Sequence, residues 1–203
     1  MISIENKFIF THIGRTGGAS IEIALSDYGF KKPHKSYLLN HDPKLIYFEA
    51  SQHWTSREEK VILGDKVWSE CFKFTIVRNP WDRVVSQYCG HVVKEVPELS
   101  FDEYIIRSFE EKVYHDDPRF VMPCMDWITD SHDNIMVDFI GHTETLQKSF
   151  DEICEILGAP QHTLAKHGES DRQDHYRKYY NDKTAELVAD VFEKDIKQFN
   201  YEF

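Results

Sequence analysis

Two short segments carry residue types that together handle an anion. The first is His12-Ile13-Gly14-Arg15-Thr16-Gly17-Gly18-Ala19-Ser20, lying between an apolar run and a run with helical spacing. Adjacent glycines let a backbone turn tightly and approach a ligand closely. A helix starting there presents unpaired N–H groups and the positive end of its dipole. Arg15 adds a fixed charge, and Thr16 and Ser20 add hydroxyls. The set suits a phosphate or a sulfate. It is not a Walker A loop, because no Lys precedes the Ser, and it is not G-x-G-x-x-G. An ordinary Gly-rich βα turn has the same composition.

The second segment runs from Phe74 to Tyr88 and contains Val77-Arg78-Asn79-Pro80-Trp81-Asp82-Arg83-Val84-Val85-Ser86. Arg78 falls at the carboxyl end of a predicted strand, where open α/β sheets bind ligands. Pro80 suits the first position of a helix. Ser86 follows Arg83 by three residues and so lies on a neighbouring helix face. An arginine fork with a serine hydroxyl can hold a second phosphate. Arg83 pairing with Asp82, with Ser86 merely packing, accounts for the same residues.

Transfer chemistry at a hydroxyl needs a proton acceptor, and His serves near neutral pH. The chain has 11 His. His53, in Ser51-Gln52-His53-Trp54-Thr55-Ser56-Arg57-Glu58, lies just before a capped helix and is the first candidate base, with His41 the second. His12, beside the cradle, suits a packed structural role. His162, His167 and His175 show no H-E-x-x-H spacing, so no metal is expected.

These residues need elements to position them. Residues 7–13 (KFIFTHI) and Phe72–Val77 (FKFTIV) read as buried strands, and residues 134–140 (NIMVDFI) as a third. Helices are expected over 19–25, from Thr55 toward Leu63 with Gly64 as the stop, from Trp81 to about Val93, and over 100–112. Thr143 is expected to cap a helix to Leu157, and Asn181 a last helix to about Phe199. Repeated strand, turn and helix predicts a parallel sheet with covering helices.

The chain has 203 residues and a formal net charge of −11. That length suits one domain with a real core. Aromatic residues at 14% argue against disorder. The acidity argues against a sequence-independent nucleic-acid partner. Residues 1–100 carry a net +1 and residues 101–203 a net −12. An anion site therefore belongs in the first half, where Arg15, Arg78 and Arg83 lie. No apolar run approaches the roughly 20 residues of a membrane span, and the start lacks a secretory signal pattern. Cys71, Cys89, Cys124 and Cys154 form no C-x-x-C pair, so four reduced thiols and a cytoplasmic protein are expected. A lumenal domain separated from a membrane anchor is the alternative.

Taken together, the two segments resemble the loops of the sulfotransferase superfamily, which uses 3′-phosphoadenosine-5′-phosphosulfate (PAPS). The family's first loop resembles P-K-T-G-G-T-S and appears here as GRTGGAS, from Gly14 to Ser20. The second resembles V-R-N-P-x-x-R-x-x-S-x-Y and is complete as VRNPWDRVVSQY. The start FTHIGRTGGAS is similar to the carbohydrate-type branch. So are VDFIGHTETLQKSFDEICEILG and the ending with Tyr179, Tyr180, Asp195, Phe199 and Tyr201. The likeness covers most of the chain.

The resemblance implies an α/β, P-loop-like three-layer fold with a central parallel sheet and covering helices, as one domain over residues 1–203. It implies transfer of a sulfuryl group from PAPS to an acceptor hydroxyl or amine, a carbohydrate or a small molecule, with release of 3′,5′-ADP. Arg15, Thr16, Gly17, Gly18, Ala19 and Ser20 would cradle the 5′-phosphosulfate, and Arg78 and Ser86 would hold the 3′-phosphate. Ser170 and Arg172 fall in the late loop that in this branch closes over the nucleotide. His53 matches the branch's H-x-T/S-A/x-R stretch, whose His is a catalytic-base candidate. Arg15 stands where the family usually has Lys. Arg keeps the charge but is a poor proton donor. Protein-tyrosine sulfotransferases also carry Arg there. The alternatives are a non-catalytic PAPS- or glycan-binding relative, and a P-loop nucleotide kinase with Ile135-Met136-Val137-Asp138 as its Walker B strand.

Overall fold

The apolar runs ahead of the two motifs form neighbouring parallel strands in the computed structural model. The structure describes residues 1–27, 53–113, 118–161, 163–165, 172 and 174–203. The sheet has four strands in the order β1 (Ile2–Ser3), β2 (Phe8–Thr11), β3 (Phe72–Val77), β4 (Phe139–His142). β2, β3 and β4 run parallel, with Phe10 beside Phe74 and Thr75 beside Ile140, while β1 pairs antiparallel with β2. The α-helices that matter are α1 (Gly18–Asp27), α2 (Ser56–Glu70), α3 (Pro80–Gln87), α4 (Phe101–Ile105), α5 (Cys124–Ile128), α6 (Leu146–Leu157), α7 (Asp182–Val191) and α8 (Glu193–Phe199).

Both faces of the sheet are covered, because alternate side chains of each strand are apolar on opposite sides. Phe8, Phe10, Phe74 and Ile76 pack with Ile21 and Leu25 of α1 and with Phe150 and Ile153 of α6. Ile9 faces the other way, against Trp54 and Trp68, before and within α2. The result is an α/β, three-layer arrangement around a central, mostly parallel sheet. A helical cluster beside it packs Trp81, Val84 and Val85 of α3 on Phe101 and Ile105 of α4 and Val188 of α7. It holds the helix that carries Arg83 and Ser86.

Three reciprocal capping boxes form at helix starts, at Thr55 with Glu58, Ser100 with Glu103, and Asn181 with Thr184. Elsewhere the elements differ from expectation. Gly64 ends the first helical stretch of α2, with φ 76 and ψ 161, but a second stretch follows across the kink as far as Glu70. The third strand is Phe139–His142, because Ile135 bridges Thr129 instead of joining the sheet. Asp138 therefore sits at the amino end of β4, where its Oδ2 pairs with Lys73 Nζ at 2.9 Å and accepts from Lys73 N at 2.8 Å. A Walker B carboxylate belongs at the opposite edge, so Asp138 is a structural ion-pair partner. The last helix is broken at Phe192, with φ −99 and ψ 20. All four cysteines are free thiols. Among the described residues, no helix is long and apolar enough to cross a membrane.

A carboxyl group is buried between sheet and helix. Thr11 Oγ1 donates to Glu59 Oε2 at 2.6 Å and lies 2.9 Å from Ser56 Oγ. Burial pushes the Glu59 carboxyl up from 4.5 to about 7, against smaller opposing pulls from the chain's amino terminus and Thr11. Between those two values the folded chain keeps a proton that the unfolded chain has released. Stability therefore falls as pH rises through that window. Glu59→Gln should abolish this slope, so that urea-unfolding free energies of the two chains diverge by about 3 kcal/mol between acid and neutral pH. Parallel pH profiles would remove Glu59 as the source.

Candidate active site

The carboxyl ends of β2, β3 and β4 bring three loops together, and polar side chains fix the first loop from behind. Thr16 Oγ1 donates to the carbonyl of Ile13 at 2.8 Å. Arg83 Nε donates to the carbonyl of Gly14 at 3.0 Å, and Arg78 Nη1 to that of Arg15 at 2.9 Å. The hydroxyl of Thr143, just after β4, is shared between the carbonyls of Thr16 (2.7 Å) and Val77 (3.0 Å). The carbonyl of Gly17 accepts from Ser20 N at 3.1 Å. So the carbonyls of residues 13–17 are all occupied. The N–H groups of residues 14–19 have no bonded acceptor among the described residues. A run of amides with its carbonyls tied away, at the start of α1, is the geometry that suits an anion.

Local backbone geometry makes this possible. Arg15 and Gly17 take left-handed φ values of 66 and 83. That conformation costs Arg15 about 1–3 kcal/mol, and the bonds around it hold it there. At Gly18 a Cβ would lie 2.3 Å from the His12 ring, so only glycine lets α1 begin against that side chain. His12 in turn meets the Glu22 carboxylate of α1, Nδ1 to Oε1 at 3.3 Å. Its role here is structural support beneath the loop.

The two sequence motifs meet directly. Arg15 donates from Nε (3.1 Å) and Nη2 (2.9 Å) to Ser86 Oγ on α3. Arg78 Nε bonds Asp82 Oδ2 at 2.7 Å, and Arg172 reaches the other Asp82 oxygen. Burial alone would raise the Asp82 carboxyl, but Arg78 and Arg172 hold it below the usual carboxylate range. Burial, and then the charge of Arg78, lower the Arg15 pKa from its ordinary value. The mouth thus carries Arg15, Arg78 and Arg172 against the paired Asp82, with a second carboxylate, Glu144, accepting from Asn79 N at 2.6 Å beside it. Arg83 is not part of it. It is fully buried, and its Nη1 donates to Met122 O at 2.7 Å. Asp82 pairs with Arg78 rather than with its neighbour Arg83, because Arg83 points inward beneath the cradle. Ser170 and His41 lie outside the described residues.

His53 sits half-buried beside the loop. Its Nδ1 is 3.1 Å from the carbonyl of His12. A carbonyl only accepts, so Nδ1 carries the proton and Nε2 keeps the lone pair. Arg119 Nη1 donates to the His53 carbonyl at 2.9 Å, and the Phe120 ring packs edge-on at 5.3 Å. Burial, then the nearby His12, lower the His53 pKa below 6.5. The ring is therefore neutral at neutral pH, with its lone pair on Nε2. His175 instead caps the turn Tyr176–Tyr179 through Arg177 N at 3.4 Å. Among the described residues, no cluster of His, Cys, Asp or Glu can hold a metal ion.

The model of the sulfotransferase family matches residues 1–202. The chain belongs to the sulfotransferase family. An uncharacterized protein of Archaeoglobus fulgidus is 27% identical over 117 residues, which is 57% of this chain and 91% of that relative. Membership makes the chain a sulfotransferase in the general sense. The geometry adds what the motifs alone do not show, namely that the two motif segments are bonded to each other through Arg15 and Ser86. Arg119 and Phe120 escaped sequence reasoning, while Thr143 reads there only as a helix cap, which it does not form, and Asp82 only as a partner of Arg83. Only Asp82 left a signal, four residues after Arg78.

A neutral Nδ1–H tautomer has a spectroscopic signature. Nitrogen-15 NMR should show the His53 ring protonated at Nδ1 and titrating below 6.5, the ordinary histidine value. An Nε2–H tautomer would contradict the bond to His12, and titration at or above that value would contradict burial as the dominant influence on the ring.

Proposed function

We propose that this chain transfers a sulfuryl group from PAPS to an acceptor hydroxyl of a carbohydrate or small molecule. The observation that supports this most is the nest, with the carbonyls of residues 13–17 occupied and the N–H groups of residues 14–19 without a bonded acceptor. Such a nest suits the phosphosulfate of the donor. Arg15 Nη1 has no acceptor among the described residues and would donate to the same anion. Thr16, Gly17, Gly18, Ala19 and Ser20 complete the cradle. Arg78, Ser86 and Arg172 are assigned to the 3′-phosphate, with Ser170 on the same late segment.

PAPS, when bound, supplies a sulfuryl group activated by its phosphate leaving group. The acceptor oxygen forms the new S–O bond, and the bond from sulfur to the 5′-phosphate oxygen breaks. His53 Nε2 takes the hydroxyl proton. Arg15 and the backbone amides stabilise charge on the departing phosphate, which needs position and electrostatics more than proton donation. An arginine in place of the usual lysine is compatible with that role.

Labelled PAPS with a panel of acceptors should yield 3′,5′-ADP and a sulfated product. Tight binding without turnover on any acceptor would favour a binding relative, and no binding of PAPS or 3′,5′-ADP would sink both. His53→Ala should lower turnover by roughly 10²–10⁴-fold while sparing nucleotide affinity. Intact turnover would move the base elsewhere. Arg78→Ala should weaken 3′,5′-ADP binding by about 1.5–3 kcal/mol, measured by calorimetry. Unchanged affinity would take Arg78 out of the nucleotide site.

A further inference from the structure

The helix that begins at Pro80 does not end at Gln87. It passes through a π-helical turn, Tyr88–Val92, and resumes at Val93–Glu95. Single π turns inside α-helices widen the helix by one residue and concentrate at functional sites. This one lies against Arg15. A Cβ on Gly90 would fall 2.5 Å from Arg15 Nη2, 2.8 Å from Cζ and 3.1 Å from Nη1. No carbon tolerates that approach, so the guanidinium occupies the space that the missing side chain leaves. Ser86 and Gly90 are four residues apart and share one helix face. Ser86 supplies the acceptor for Nε and Nη2 at 3.1 and 2.9 Å. Gly90 supplies the room.

We propose that Gly90, in the π turn, is a positioning residue for Arg15. It lets the guanidinium lie flat along α3 and stay locked on Ser86, so that Nη1 is presented to the anion from a fixed place. Arg15 itself leaves the backbone in the left-handed region, which sets the direction of its side chain but not its end point. The end point is set by Ser86 and Gly90 together. The functional consequence rests on the proposed donor site, whereas the geometry does not.

Gly90 has no left-handed φ, so alanine suits its backbone, and only Arg15 stands in the way. Gly90→Ala should therefore displace the guanidinium without harming the fold. Two readouts test this on the whole chain. In NMR, the Arg15 Nε–H signal, assigned by its loss in Arg15→Lys, should exchange slowly in the wild type. It should lose that protection in Gly90→Ala and in Ser86→Ala. Persisting protection in Gly90→Ala would overturn the proposal, whether or not PAPS is the donor. In calorimetry, Gly90→Ala should weaken 3′,5′-ADP binding roughly 10-fold, and should add nothing in an Arg15→Ala background. Equal losses in both backgrounds would overturn it. If Gly90→Ala fails to fold, rescue by Arg15→Ala supports the proposal and failure in both backgrounds refutes it. Failure of the wild type to bind 3′,5′-ADP would defeat the donor assignment and leave the NMR arm to decide this one.

Discussion

The carbonyl oxygens of residues 13–17 are each tied down at the carboxyl edge of the sheet, and the anion cradle depends on that constraint. A free carbonyl in a Gly-rich loop can swing toward a ligand and repel an anion. Here each one is already engaged by Thr16, Arg83, Arg78, Thr143 or Ser20 N. The donors come from the loop itself, from α3 and its approach, and from the turn after β4. Three strand ends must be in register before the loop acquires its shape. The parallel pairing of β2, β3 and β4 brings them together.

Arg83 shows how far that coupling extends. A buried guanidinium is costly unless it is well satisfied and its charge is balanced. Arg83 reaches Gly14 on the cradle and Met122 before α5. Asp195 of α8 is buried near it and accepts from Cys124 N (2.7 Å) and Met125 N (2.8 Å). Burial raises the Asp195 carboxyl, while those two amides and Arg83 act against that rise. The first loop, the α5 segment and the C-terminal helix are thus joined through one cation and one carboxylate. A residue in the middle of a motif that reads as phosphate-binding turns out to hold the backbone of the other motif.

An acidic chain can host such a site because fields are local. The formal charge of −11 is spread over helix faces, and charges beyond about 10 Å are screened by solvent and salt. At the mouth the count is the reverse, with Arg15, Arg78 and Arg172 around Asp82. Asp82 neutralises part of that charge and fixes the direction of two guanidinium groups.

Strands β2 and β3, the turns after them, the capping boxes at Thr55 and Ser100 and the cap at Asn181 are legible in the sequence, because each depends on neighbours a few residues away. Periodicity, glycine, proline and an acid three residues after a hydroxyl are local signals. The two motifs are legible for the same reason, and their order suffices to name the family. β1 is too short to leave a period, and β4 starts later than its apolar run because only the partner strand chooses the register. Gly64 breaks the helix as its residue type suggests, and a second stretch follows because the apolar face of α2 continues to Trp68 in the core. The residue types of the anion site were thus determined by the sequence alone. Which arginines lie at the mouth, which one is buried, and that Arg15 rests on Ser86 in the gap left by Gly90 were decided by the tertiary structure. Those contacts join residues 69–75 positions apart, and no local propensity specifies such a pairing.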